Sequence, residues 1–332
     1  MDLLLGIETS CDDTAVAVVG SGGKVLSSVI ASQISVHSDF GGVVPELASR
    51  AHDAVIVPTL EESLRRAGLS PTSPGLDAIA VTVGPGLSGP LMVGVATAQA
   101  LSVAWNVPLV AVNHLEGHIF ALGLDTMFPK LPLVVLVVSG GHTMIVGIRE
   151  LGQYEILGRS YDDAAGEAFD KVARLLGLGF PGGPEIERLG NSGDRDAIKF
   201  KQAVTKGRFD FSFSGPKTSV VRYLKENSDF DAADVAASFQ ESIAQVLARK
   251  TIEAAIEYGA RSVGLSGGVG ANSRLRELLD SLGSKNSIEV FLPARSNCTD
   301  NGAMIAEAGR FRLEKFGPTA LPIDVVPSLK FG

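Results

Sequence analysis

Short apolar runs broken by glycine-bearing turns set the pattern of this chain. Residues 3–7 read as a strand, 9–13 as a turn, and 15–19 and 25–30 as further strands joined through Gly20-Ser21-Gly22-Gly23. That order predicts an antiparallel meander. The same pattern returns from Leu133–Val138 through Ser139-Gly140-Gly141-His142 to 143–148 and on to 154–158. Each meander is followed later by a strand that runs through glycines into a helix. The first such strand, 78–83, passes through Gly84-Pro85-Gly86 to a helix from about Ser88; the second, 262–265, passes through Ser266-Gly267-Gly268 to a helix from about Asn272. One supersecondary unit is therefore expected twice. The apolar stretch 91–112 is interrupted by Gln99, Trp105, Asn106 and Pro108, so it reads as a buried helix followed by a strand, not as a membrane span.

A chain of 332 residues, 45% hydrophobic, has the length and apolar content for two domains with substantial cores. The expected fold class is α/β: two duplicated actin-like lobes, as in actin, sugar kinases and Hsp70, with a nucleotide and metal cleft between them. Boundaries are expected at 1–118 plus 301–332 for the first lobe and 119–300 for the second, with an insertion around 190–230. Strands that lead through glycines into helix starts aim backbone N–H groups outward at a positive helix end, which holds phosphate without spending lysines. None of these turns matches G-x-x-x-x-G-K-S/T, and none gives a strand-G-x-G-x-x-G-helix fingerprint, so P-loop and dinucleotide-binding readings fail. The opening Met1-Asp2 begins neither a basic leader nor an export signal, and two cysteines, Cys11 and Cys298, make no disulfide framework. A cytoplasmic protein with no membrane association is expected.

The net charge of −8 opposes a general affinity for nucleic acid. One segment departs from it. Residues 195–225 hold Arg195, Lys199, Lys201, Lys206, Arg208, Lys217, Arg222 and Lys225 against Asp196 and Asp210, a local +6 that leaves −14 elsewhere. Phe200, Phe209, Phe211, Phe213 and Tyr223 are interleaved with these cations. That mixture suits phosphate neutralisation and base stacking, or else a solvated basic face with its aromatics turned inward.

After the strand at 109–112 comes Asn113-His114-Leu115-Glu116-Gly117-His118, which on a helix puts two imidazoles at i and i+4 on one face, able to chelate one ion or simply to cap and surface the element. Glu116 lies two residues after the first histidine, about 200° around the helix, so a metallopeptidase reading loses its general base. A strand at 288–292 leads to Cys298-Thr299-Asp300-Asn301-Gly302 and an apolar helix from Ala303, where Asp300 or Asn301 caps the helix or Asp300 is a third ligand. Asp12 and Asp13 sit in the first turn, where turn propensity or cation and proton handling would each account for them.

The strings GIETSCDDT from Gly6, GGVVPELASRAH from Gly41, NHLEGH from Asn113, VVSGGHT from Val137, GEAFDK from Gly166 and FPGGP from Phe180 follow one another along the chain. FDFSFSGPKTS from Phe209, LSGGVGAN from Leu265 and CTDNGAMIA from Cys298 continue the series. Together they resemble the TsaD-type tRNA threonylcarbamoyl transferases, once labelled O-sialoglycoprotein endopeptidases, over nearly the whole chain. The resemblance implies transfer of a threonylcarbamoyl group from its adenylate to the exocyclic amine of the adenosine 3′ of the anticodon, in tRNAs reading codons that begin with A. It implies metal ligands at His114, His118 and Asp300, for one divalent ion per subunit, Fe(2+) with Zn(2+) or Mg(2+) as alternatives. Substrate-holding positions are implied at Val137, Val138, Ser139, Gly140, Gly141, Asp170, Gly183, Glu187 and Asn272, for an adenine nucleotide: ATP, AMP or threonylcarbamoyl-adenylate. The implied partners are tRNA, an inactive actin-like paralogue and a small P-loop ATPase, with a homodimer left open.

Two departures from the family pattern stand out. Asp13 takes the place of a common glutamate, and Pro216 the place of a leucine before Lys217, which removes a backbone donor from an expected loop. Asp12 is the expected catalytic proton acceptor. An actin-like small-molecule kinase and a noncatalytic nucleotide-binding scaffold are the rival readings.

Overall fold

The computed structural model describes residues 3–331. The described residues divide into two compact units, 3–128 with 300–331 and 129–299. The first opens on the expected meander, β1 (Leu3–Glu8), β2 (Asp13–Gly20) and β3 (Val25–Ser32), then α1 (Ile34–His37) and α2 (Pro45–Arg66). It continues through β4 (Ala78–Gly84), α3 (Ser88–Trp105), β5 (Leu109–Asn113) and α4 (His114–Phe120). The second unit holds β6 (Leu133–Val138), β7 (Thr143–Glu150), β8 (Gln153–Arg159), α5 (Ala165–Leu175), α6 (Gly182–Gly190) and α7 (Ser214–Glu226). It is completed by α8 (Ala232–Tyr258), β9 (Ser262–Ser266), α9 (Ser273–Lys285) and β10 (Glu289–Phe291), after which α10 (Gly302–Phe316) belongs to the first unit.

The duplication is visible in the sheets. Among the described residues each has five strands, ordered β3-β2-β1-β4-β5 and β10-β9-β6-β7-β8. In both, an antiparallel meander is extended by two parallel strands: β1 pairs in parallel with β4 and β4 with β5, while β6 pairs in parallel with β9 and β9 with β10. Parallel neighbours need crossover helices, which is why β4 and β9 are each followed by one.

Alternation along β1 sends Leu5 and Ile7 to one face, where they pack with Ile56, Leu60 and Leu64 of α2 and Val95 and Ala98 of α3. The opposite face receives α10. There Gly6 and Gly302 meet backbone to backbone: a Cβ on Gly6 would lie 1.9 Å from the Gly302 carbonyl oxygen, and one on Gly302 would lie 2.6 Å from the Gly6 oxygen. No side chain fits at either position. In the second unit the largest core cluster gathers β6, β7 and β9 residues with α5 and the long α8, a helix that the strand-based pattern did not anticipate.

Three expectations need correction. The units part after Phe128 and before Asp300, not at 118 and 301, because α4 continues its buried run through Ile119 and Phe120, and Phe120 stacks on Phe311 of α10 at 4.9 Å. The helix in 91–112 is only half buried, with Met92 and Val103 at 59% and 72% exposure. In the insertion the structure takes the inward-facing alternative: Phe200, Phe211 and Phe213 are buried in the second unit's core while Lys199, Lys201, Lys206 and Arg208 are exposed, so the segment offers charge but not those three rings for stacking. Apolar area decided this outcome, since three buried phenylalanines stabilise the unit by several kcal/mol that exposure would forfeit, about 2 kcal/mol each. The third correction concerns Pro216, which sits in the first turn of α7, not in a loop, where its missing N–H would have had no helical acceptor anyway.

Gly6→Ala should destabilise the protein by about 3 kcal/mol through overpacking against Gly302. Thermal and urea unfolding of the variant check this, and a melting curve unchanged from the parent would show that α10 can move away from β1 at little cost.

Candidate metal centre and nucleotide pocket

The metal centre lies within the first unit. Asn113 ends β5 and caps α4, its Oδ1 accepting from the Leu115 N–H at 2.9 Å, so the helix begins at His114 and turns His114 and His118 to one side. Their rings meet edge to face with centroids 4.7 Å apart. At the other end of the unit Asn301 caps α10 by accepting from the Met304 N–H at 2.9 Å. Asp300 is thereby released from capping, and its Oδ1 lies 3.6 Å from His114 Nε2 and 3.2 Å from His118 Nε2. Ligand atoms of His114, His118 and Asp300 all fall within 4.8 Å of one another.

A residue that the sequence reading missed orients this set. Glu8, fully buried at the end of β1, accepts at Oε2 from His114 Nδ1 at 2.9 Å and from the Thr82 hydroxyl at 2.6 Å, and its other oxygen accepts from the Ser10 N–H. A histidine whose Nδ1 proton is held by a carboxylate presents Nε2 to an ion, and such outer carboxylates also raise the ligand's basicity. The donor set therefore fits a divalent cation with two imidazoles and one carboxylate. Burial alone would strip the charge from His114, but Glu8 and Asp300 outweigh it and hold the ring up to about 9. Burial also pushes Glu8 upward, and His114 overrides it, keeping the carboxyl below the usual range. Glu116, the residue a peptidase reading would need, is committed elsewhere, paired with Arg312 at 3.0 Å.

Asp12 and Asp13 lie at the turn into β2 and are half-buried. Asp13 is pushed up to about 7, mainly by burial, with Asp12, Asp300 and Glu8 adding and a hydrogen bond to Ser32 opposing. Its buried Oδ1 makes no hydrogen bond.

The second unit contains a cavity of about 400 Å³. Gly140, Asp170, Gly183, Glu187 and Asn272 are on its wall, with Phe169, Pro181, Pro184 and Val269 as apolar lining. Asp170 reaches from α5 to accept from the Gly182 N–H at 2.7 Å at the start of α6, and so is not an ordinary exposed helix residue. Glu187 accepts from the Ser273 N–H at 3.1 Å, and Asn272 caps α9 through the Leu275 N–H at 3.0 Å while donating to Gln240 at 2.7 Å. Val137 and Val138 have their side chains buried in β6, between β7 and β9. Ser139 and Gly141 are not on the cavity wall either, and the Ser139 N–H is used by the His142 carbonyl at 2.8 Å in the β6–β7 turn. Gly267 is the glycine the turn requires, with φ of +92° and a Cβ position 2.3 Å from the Val138 oxygen. Arg295 and Thr299 also line the cavity, and no spacing in the sequence announced them.

Two units of one actin-like topology, the first with a His/His/Asp set whose histidines are buried, define an α/β protein of the actin, Hsp70 and sugar-kinase class with a metal-binding site. The family model "TsaD: tRNA N6-adenosine threonylcarbamoyltransferase" matches residues 24–307. A tRNA N6-adenosine threonylcarbamoyltransferase from Symbiobacterium thermophilum is 49% identical over 99% of this chain and 97% of its own. Among solved structures, HypF from T. kodakarensis superposes with a TM-score of 0.64 at 16% identity, covering 95% of this chain and 48% of that one. ROK hexokinase from Thermus thermophilus gives 0.51 at 14% identity over 94% and 99%; both likenesses concern fold alone. The chain belongs to the TsaD family of tRNA N6-adenosine threonylcarbamoyltransferases.

Below pH of about 9 a cation must displace the His114 proton, so affinity should fall about tenfold for each unit of acidification, with proton release on binding. Calorimetry in buffers of different ionisation enthalpy measures that proton, and its absence at pH 7 would mean the ring is already neutral. At the cavity, a Cβ on Gly183 would meet nothing within 4 Å, so Gly183→Val should fill the space without strain. AMP affinity should drop about tenfold or more with the melting temperature unchanged; equal affinity would place the nucleotide elsewhere.

Proposed function

We propose that this chain transfers the threonylcarbamoyl group from threonylcarbamoyl-adenylate to the exocyclic amine of the adenosine 3′ of the anticodon in tRNAs reading codons that begin with A. The observation that carries the reading is the set of buried His114 and His118 with half-buried Asp300, oriented by Glu8, in a chain of this family. A bound divalent ion, Fe(2+) in this proposal, supplies positive charge that stabilises oxygen anions developing during acyl transfer. His114, His118 and Asp300 would hold it.

The cavity in the second unit suits an adenine nucleoside. Phe169, Pro181, Pro184 and Val269 offer apolar surface to the base, and the carboxylates of Asp170 and Glu187 are fixed by backbone N–H groups where ribose hydroxyls can donate to them. As the amine nitrogen bonds to the carbamoyl carbon, the bond from that carbon to the phosphate oxygen breaks and AMP leaves, and Asp12 takes the proton that the adenine amine loses. Its neighbour Asp13 has its Oδ1 turned into the protein and is less suited to the role. The amine's lone pair is delocalised, so positioning and activation of the acyl donor provide most of the acceleration.

The exposed cations of 195–225 are the proposed tRNA surface, acting through phosphates. The outer face of α3, with Met92, Ala96, Ala100 and Val103 exposed at helical spacing and no charge along the helix, supports assembly with an inactive actin-like paralogue, alongside a small P-loop ATPase. A homodimer through the same face is the alternative. Among the described residues no helix is long and apolar enough to cross a membrane, and Cys11 and Cys298 are free thiols; a cytoplasmic setting is proposed on that basis.

Cells depleted of the protein should lose threonylcarbamoyladenosine from tRNA, as read by nucleoside mass spectrometry. The parent gene should restore it, while His114→Ala or Asp300→Ala should leave less than about a hundredth of the parental rate. Full restoration by either variant would favour the noncatalytic scaffold.

A further inference from the structure

We propose that His52, on α2, is a positioning residue that fixes the turn carrying Asp12, a role that rests on Asp12 being the proton acceptor. His52 is fully buried. Its Nε2 lies 3.0 Å from the Cys11 carbonyl oxygen and its Nδ1 lies 2.7 Å from the Thr14 hydroxyl. A carbonyl only accepts, so Nε2 carries the proton, and Nδ1 of the neutral ring accepts from Thr14. One imidazole thus grips the residue before Asp12 and the residue after Asp13. Burial keeps His52 below the usual histidine range, which keeps the ring neutral, and the Cys11 carbonyl then fixes the tautomer.

A second tie closes the same turn. The Gln33 N–H donates to the Asp12 carbonyl at 3.1 Å, and the buried Gln33 side chain is itself fixed by His37. The Val44 N–H donates to His37 Nδ1 at 3.4 Å, so His37 Nε2 is protonated and donates to Gln33 Oε1 at 3.2 Å. These ties have something to hold against. Asp12 and Asp13 are adjacent carboxyls, the Asp13 anion is disfavoured by burial and by Asp12, Asp300 and Glu8, and the β2–β3 ladder begins only at Asp13, so the turn up to Asp12 lies outside it. A displacement of about 1 Å in a reacting group costs up to about a hundredfold in rate.

The test uses His52→Phe, which keeps the ring's bulk and removes both bonds, His52→Gln, which keeps a donor toward Cys11, and Thr14→Val, a milder change should the first fail to fold. Each is assayed in the full chain with its partners. His52→Phe and Thr14→Val should lower kcat about ten- to a hundredfold with KM for the adenylate within twofold, His52→Gln should recover part of the loss, and amides 10–14 should exchange hydrogen faster while the rest of the chain does not. Unchanged exchange in this turn, or a loss confined to KM, would overturn the assignment. Asp12→Asn is measured separately: a parental rate there removes Asp12 from the chemistry, while the exchange data still decide whether His52 holds the turn.

Discussion

Gly6 of β1 and Gly302 of α10 touch backbone to backbone, and the metal centre depends on that contact. Two residues beyond Gly6 is Glu8, which orients His114; two residues before Gly302 is Asp300, which completes the ligand set. Any side chain at either glycine would push α10 off the sheet and carry Asp300 away from the histidines. Close approach of a helix to a strand is a packing feature, yet here it sets ångström distances among groups that must share one ion.

Electrostatics reinforce that geometry. Glu8 and Asp300 are carboxylates on two sides of the His114 ring, with Glu8 and His114 buried, and each keeps the imidazole's charge tolerable in an environment that would otherwise expel it. Breaking such a buried pair by removing one partner strands a charge, which costs about 3–5 kcal/mol. The same negative potential acts on the neighbouring turn, raising Asp13 and demanding that the backbone of Asp12 be tied down by Gln33 and, through Cys11 and Thr14, by His52. Ligand orientation and turn rigidity are thus two responses to one cluster of carboxyls.

Duplication gave two units the same strand order but different uses. In the first, the strand-to-helix step after β5 carries histidines for a metal. In the second, the step after β9 ends at Asn272 and Ser273, joined by Glu187 into the wall of a nucleoside-sized cavity. The basic insertion before and within α7 belongs to neither repeat. Its phenylalanines serve the core of the second unit and its lysines and arginines remain outside, apart from half-buried Lys217, which pairs with Asp163.

Much of this was legible in the order of residues. The meanders, the glycine turns, the i and i+4 histidines and the stop at Asn113 are local properties, fixed by side-chain period and capping chemistry within a few residues. So was the elimination of a peptidase, because Glu116 points away from His114 on any helix, and its partner proved to be Arg312. Other features had no local signature. Whether Asn301 or Asp300 would cap α10, that Glu8 would reach His114, that His52 would clasp a turn forty residues earlier, and that the phenylalanines of 195–225 would face inward were all settled by packing. Sequence determined which elements form and which residue types stand at their ends. Only the tertiary structure decided which ends meet, because contacts between distant segments depend on how two faces of a sheet are filled, a property that no window along the chain contains.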